Sequence, residues 1–310
     1  MTPSINYEQP TEEVGFPMEN SENRLIKLTK AIVKVCRKSK HVYKQHQHIS
    51  IVCLMKYFRL HYRSVVQLLD VIPALKKIIG IKQLPHFTTV HKFFRRFSSS
   101  MMETILRQTA RLFGITESTL AIDSSGFSSN YASRYYMMIK YRQEKGVWRS
   151  SYIKNAVSVD TDTHAVISML PSREHTNDFA NFIPLAKKSG RVVNIGTVVA
   201  DRGYDSEENN RFVRYHMKAR NVIRVRMDRK CKRRHGRLRR ELVKDFDWET
   251  YGRRNMIETM FSVIKRKFGD TLYSRSLRLQ KKELKLLCIV YNLHRYVSCF
   301  SLRYVFYAAV

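Results

Sequence analysis

The spacing of apolar residues changes part-way along the chain. From Arg24 to about Ser100 they recur every three or four positions. Leu25, Leu28, Ile32 and Val35 make one stripe, and Ile51, Leu54, Met55 and Phe58 make another. This is the period of amphipathic helices. Val65, Leu68, Leu69 and Ile72 continue it until Pro73, and Gly80 and Pro85 punctuate the turns that follow. Thr88 or Thr89 is placed to cap a short helix that runs to Arg96. Ser100-Met101-Met102-Glu103 reads as a capping box, and Gly114 as the stop of the helix it opens. Residues 24–114 are therefore expected to form a helical, basic DNA-binding region. A helix-turn-helix reader and plain helix packing account for the pattern equally well.

After Gly114 the period shortens. Thr119 to Asp123 is a short apolar run ending in a carboxylate. Tyr152–Asp160 and His164–Leu170 read as strands joined by the turn Asp160-Thr161-Asp162-Thr163. Asp178 is placed to cap a helix over Phe179–Lys188. A β-branched run, Val192–Ala200, ends at Asp201, and Asp205-Ser206-Glu207-Glu208 opens a helix to about Met217. Asn221–Val225 is a further strand, Arg229–Arg240 a basic loop without an acid, and Trp248–Phe268 and Lys281–Tyr296 are long helices. Strand, hairpin, helix, strand, helix, strand, helix is an α/β order that predicts a mixed sheet flanked by helices over residues 115–300. Residues 1–23, acidic and containing Pro3, Pro10 and Pro17, are expected to be a mobile leader, and residues 301–310 an apolar tail.

Composition narrows the partner. The 310 residues carry 57 Lys and Arg against 26 Asp and Glu, a net charge of +31. An imbalance of that size repels itself unless a polyanion neutralises it, and nucleic acid is the simplest. The hydrophobic fraction of 44% suits a packed core. The first 23 residues hold five glutamates and no Lys or Arg, the reverse of a signal peptide. The most apolar stretch, Leu284–Val310, is broken by Lys285, His294, Arg295 and Arg303, which argues against a membrane span. Five scattered cysteines suit free thiols in a reducing cytoplasm, where the protein would lie with the nucleoid. His46 and His48 have no Cys or second His pair at ligand distance and read as ordinary helix-surface residues.

Two acids follow buried runs: Asp123 after Leu120-Ala121-Ile122, and Asp201 after Val198-Val199-Ala200. Each precedes a segment with glycine, Ser124-Ser125-Gly126 and Arg202-Gly203-Tyr204. Active-site groups of α/β sheets collect at strand carboxyl ends. Two carboxylates brought together there repel unless a hard divalent cation such as Mg²⁺ or Mn²⁺ lies between them. Asp160, Asp162 and Asp205 are accounted for by turns. Glu258 is a third candidate. On a continuous helix it would share a stripe of about 60° with Tyr251, Arg254 and Lys265, beside the apolar face of Ile257, Phe261, Ile264 and Phe268.

At these residues the chain resembles the DDE transposases of prokaryotic insertion sequences, and in particular the branch with the signature Tyr-x2-Arg-x3-Glu-x6-Lys. The signature is present as Tyr251, Arg254, Glu258 and Lys265. Ile122-Asp123-Ser124-Ser125-Gly126 and Ala200-Asp201-Arg202-Gly203-Tyr204-Asp205 resemble the motifs of the first and second aspartate. The resemblance runs from roughly Gln45 to Tyr296. It implies an RNase H-like fold with Asp123 on the first strand, Asp201 ending the fourth and Glu258 on a later helix. It also implies that these three hold two Mg²⁺ or Mn²⁺ ions about 3.5–4 Å apart, with no covalent protein intermediate. The implied reaction hydrolyses a phosphodiester at the element's end and joins the freed 3′-hydroxyl to target DNA. Tyr251, Arg254 and Lys265 would contact phosphates near the cut. The basic run Arg229, Lys230, Lys232, Arg233, Arg234 and Arg237 would track double-stranded DNA, and pairing two ends suggests a homodimer. A metal-dependent nuclease without strand transfer, and a non-catalytic nucleic-acid-binding relic, remain alternatives.

Overall fold

The computed structural model describes residues 42–129, 152–173, 178–226 and 236–308. The stripe from Leu25 to Val35, the leader, and Arg229, Lys230, Lys232, Arg233 and Arg234 lie outside them. Among the described residues five helices come first: α1 (Gln45–Tyr57), α2 (Tyr62–Val71), α3 (Pro73–Ile79), α4 (Phe87–Arg96) and α5 (Ser99–Arg111). Pro73 ends one helix and also opens the next, since a first-turn position needs no N–H. The cap of α5 is Ser98, whose side chain accepts the Ser100 N–H. Glu103, expected in a capping box, instead pairs with Lys188 and Lys285. α1 corrects the reading of its histidines. His46 and His48 are buried, and His48 stacks on Phe93 with ring centroids 4.5 Å apart. Tertiary packing on all sides of α1 makes them core residues.

Six strands of the described residues form one sheet: β1 (Glu117–Ser129), β2 (Tyr152–Asp160), β3 (Val166–Arg173), β4 (Asn194–Ala200), β5 (Arg220–Ile223) and β6 (Thr271–Leu272). The order is β3-β2-β1-β4-β5, with β6 beside the far end of β1. The first three are antiparallel through the expected hairpin, whereas β4 and β5 run parallel to β1. Parallel pairs require crossovers. These are α6 (Asp178–Gly190) and α7 (Glu207–Arg211), the latter extended by a π-helical turn to His216. Ser206, not Asp205, caps α7. The result is the RNase H-like mixed sheet flanked by helices, preceded by a helical N-terminal region.

Asp123 does not end its strand. Ser124, Ser125 and Gly126 stay extended opposite Ala156, Asn155 and Lys154. The ladder offered by β2 overrides their local turn preference. Gly126 is suited to its place because the Tyr152 ring would stand 3.0 Å from a Cβ there.

Alternation along β1 separates two cores. Leu120 and Ile122 face Phe182, Leu185 and Ala186 of α6. Ala121 and Phe127 face the other way, into a core shared with α1–α5, α10 (Asn255–Val263) and α11 (Leu277–Ala308). A fully buried side chain of this kind contributes about 1.5–3 kcal/mol. Between β5 and α10 lie α8 (Arg237–Lys244) and α9 (Trp248–Gly252).

Three sequence expectations change here. The single helix over Trp248–Phe268 is divided into α9, α10 and a π-helical turn, Ile264–Phe268. α11 is longer than Lys281–Tyr296 and continues through most of the expected tail. The carboxyl-terminal part of the basic loop is the helix α8, which finds acids elsewhere: Glu241 for Arg237 and Asp205 for Arg239.

Candidate active site

β1 carries Asp123 on the face that meets α10. Ile122 is in register with Ala200, the last residue of β4, so the parallel pairing sets Asp201 beside Asp123. Tyr251 of α9 donates its hydroxyl to Asp201 Oδ1 at 3.2 Å. Arg254 lies at the junction of α9 and α10 with helical angles, φ −53° and ψ −31°. It therefore still faces Glu258 one turn on, despite the break. Its Nη1 donates to Asp123 Oδ2 at 2.9 Å, and its Nη2 donates to Glu258 Oε1. One guanidinium thus spans two of the three acids.

The electrostatics follow from this crowding. Burial, with the charges of Asp201 and Glu258, holds the Asp123 carboxyl above its ordinary range, against the opposing pull of the Ser124 N–H and Arg254. Burial also opposes the charge on Arg254, but the carboxylates of Asp123 and Glu258 outweigh it and keep the guanidinium more firmly protonated. Burial and Asp201 raise the Tyr251 hydroxyl, which stays a proton donor. Among the described residues no three His, Cys, Asp or Glu side chains stand close enough to hold one ion together. The cation between two of the acids is Arg254. The donor set, three carboxylates with mutual repulsion to relieve, nonetheless fits a hard divalent ion.

Lys265 is not brought to these acids. Its ammonium lies 5.4 Å from the centroid of Phe127, about 13 Å along β1 from Asp123. Arg237 is exposed and pairs with Glu241 at 2.9 Å.

Residues that the sequence pattern did not single out complete the surroundings. Asp178, expected as a helix cap, accepts from Ser124 Oγ at 2.7 Å and pairs with Lys154 at 2.6 Å. The Ser124 N–H donates to Asp123 Oδ1 at 2.7 Å, so Ser124 links Asp123 on one sheet face to Asp178 on the other. A lysine within the β2 strand was the available signal for Lys154. Arg224, just past β5, lies over the rings of Trp248 and Tyr251, 5.4 and 6.0 Å from their centroids, and its N–H bonds the Ala200 carbonyl. It borders Asp201, and nothing in its local sequence marks it.

The family model described as Transposase DDE domain matches residues 114–293, more than half of the chain. The chain belongs to the DDE transposase family. No match was found among curated proteins. The matched span holds the six described strands of the transposase sheet, together with Asp123, Asp201 and Glu258. Transposases act on DNA, which gives the positive charge its partner. No described helix of the transposase is long and apolar enough to cross a membrane.

Proposed function

We propose that this transposase cuts the ends of an insertion sequence by metal-dependent phosphodiester hydrolysis and joins the freed 3′-hydroxyl to target DNA. We further assign it to the branch with the Tyr-x2-Arg-x3-Glu-x6-Lys signature. The observation that carries the reading is the convergence of three signature residues, Tyr251, Arg254 and Glu258, on Asp123 and Asp201. Asp123, Asp201 and Glu258 would hold Mg²⁺ or Mn²⁺. Two such ions would lower the pKa of the attacking water or hydroxyl and stabilise the leaving oxygen.

The chain's own groups then have defined tasks. Arg254 holds Asp123 and Glu258 together before DNA arrives, and its planar fork can exchange a carboxylate for a phosphate. Tyr251 orients Asp201. Ser124 fixes the carboxylate of Asp123 through its N–H, and Asp178 holds both Ser124 and the Lys154 ammonium at the same level of the sheet. Arg224 and Lys265 offer positive charge on either side of the acids. DNA affinity would come from Arg229, Lys230, Lys232, Arg233, Arg234 and Arg237, and from the helical region of residues 24–114. There α4 exposes His91, Lys92, Arg95 and Arg96. Pairing of two ends calls for a homodimer on DNA, in the cytoplasm with the nucleoid.

The test is cleavage and strand transfer on DNA carrying the element's ends. Asp123→Ala, Asp201→Ala and Glu258→Ala should each lose cleavage in Mg²⁺ while binding DNA almost normally, because affinity comes from Lys and Arg. Ca²⁺ should support binding with little cutting. Cleavage at the wild-type rate in any of the three would remove that residue from the site. Cutting without joined products would leave a nuclease.

A further inference from the structure

A second cavity lies away from the carboxylates, where the helical region meets β6 and α11. Its volume is about 440 Å³, within the range of small-molecule sites. Leu60, Phe94, Phe268 and Leu286 give it apolar walls, and Tyr273 stands at its edge, 58% exposed. The one carboxylate lining it is Glu283, and that is already committed. It pairs with Lys56 at 3.0 Å and accepts the N–H groups of Tyr273 and Ser274. Three exposed guanidiniums, Arg59, Arg95 and Arg275, also line the cavity, and none is in an ion pair with a described carboxylate. The site is thus apolar and aromatic within and positive at the mouth.

One of those cations is placed by the turn that ends α1. Arg59 has φ +56°, in the left-handed region where glycine is the usual occupant after a helix. Its guanidinium lies over Gly269, 3.5 Å from where a Cβ would be, and Gly269 has φ +91°. The left-handed turn belongs to the cap that ends α1, in which the Leu60 N–H bonds the Met55 carbonyl and the Arg59 N–H bonds the Lys56 carbonyl, and the bare Gly269 backbone leaves room for the guanidinium beside the cavity.

We propose that this cavity takes an unpaired nucleotide of the bound DNA, the base between the apolar walls and Tyr273 and the phosphate on Arg59 and Arg275. Aromatic stacking combined with guanidinium contacts is the chemistry that holds single nucleotides irrespective of sequence. The position suits a DNA strand that also crosses the carboxylates. Thr271, which lines the cavity, pairs with Ser128, five residues beyond Asp123 on β1. That places the cavity about 16 Å from Asp123 along the strand, or about five base pairs of duplex. The inference rests on the DNA-processing reading for the source of the nucleotide, and its test needs no cleavage.

The experiment titrates the full chain with dAMP, with deoxyadenosine and with inorganic phosphate, by calorimetry or by ligand NMR. dAMP should bind at one site and more tightly than either fragment. Tyr273→Ala, Arg275→Gln and Arg59→Gly should each weaken it about tenfold. Arg59→Gly removes the cation while relieving the backbone, so its melting temperature should hold or rise and a folding defect cannot imitate the result. Phosphate binding as tightly as dAMP, absence of saturable binding, or affinity unchanged in all three variants would overturn the proposal. DNA cleavage measured on the same preparations separates the two readings. Normal cleavage with no nucleotide site removes this cavity alone, whereas nucleotide binding without cleavage upholds it and counts against the cutting mechanism.

Discussion

At the scale of single residues the site is defined by an excess of negative charge that one arginine partly neutralises. The pKa of Asp123 is raised in the folded state, by burial first and by Asp201 and Glu258 after it. The folded protein therefore holds that proton more tightly than the unfolded chain does. The corresponding stability is present below the unfolded carboxylate range and is lost as pH rises through the raised value. At neutral pH the ionised Asp123 is a net burden on the fold. Asp123→Asn should accordingly melt at a higher temperature than the wild type at pH 7, with the difference closing below about pH 4. Thermal melting across that range checks it, and a lower melting point at pH 7 would refute it. Arg254 has the opposite sign. Arg254→Ala leaves three acids without their shared cation and should lower the melting temperature. Added Mg²⁺ should then raise it more in the variant than in the wild type, since the ion can take over the neutralisation. Arg254→Lys should recover only part, because an ammonium cannot span both carboxylates. Equal Mg²⁺ shifts in the two proteins would mean that the acids hold no ion.

At the scale of elements, buried polar contacts fix how helices meet the sheet. β3 is an edge strand, and its outward-facing Val166 N–H and C=O are both bonded by the side chain of Asn292 on α11, at 2.8 Å each. Asn292 is fully buried and also donates to Thr109 of α5. Asn292→Leu keeps the volume but strands both groups of Val166. It should cost about 3 kcal/mol in chemical denaturation, and a loss under about 1 kcal/mol would show that the edge finds other partners. The same logic divides the basic run. Arg239 makes a two-pronged contact with Asp205, whose side chain is fully buried. Arg239→Ala should therefore destabilise, by about 3–5 kcal/mol.

At the scale of the whole molecule, the charge of +31 calls for a polyanionic partner. Neutralising Arg229, Lys230, Arg233 and Arg234 together should flatten the dependence of log K on log[salt] for DNA by up to about 3.6, at roughly 0.9 per phosphate contact. Arg239→Ala should leave that slope nearly unchanged, because its charge is already committed to Asp205. An unaltered slope in the fourfold variant would assign the run to solvent. The core on one face of the sheet is continuous with that of α1–α5, with the buried Lys56–Glu283 pair tying α1 to α11.

The order of strands and helices was legible in the sequence because it depends on local pattern: short strand-like runs joined by a turn in β2 and β3, a β-branched run in β4, and three-to-four spacing in the helices. Asp123, Asp201 and Glu258 could be put forward as candidates from the sequence because each stands beside an apolar run. The pairing of Tyr251 with Asp201, and of Arg254 with Asp123, needed the sheet register and the junction between α9 and α10. That junction broke the helix on which the spacing argument rested, and Lys265, in the π-helical turn beyond α10, lies over Phe127 and away from the acids. The length of β1 was decided by its neighbours β2, β4 and β6, since Ser124-Ser125-Gly126 prefers a turn until a ladder is offered. His46 and His48 became core residues because α1 is packed on every side, which no period in its own sequence encodes. Asp178 and Lys154 lie 54 and 30 residues from Ser124 in the sequence, and only the closure of the fold brings them together beside it. A sequence specifies which surfaces each element must bury, and the charges left facing one another are settled when those surfaces meet.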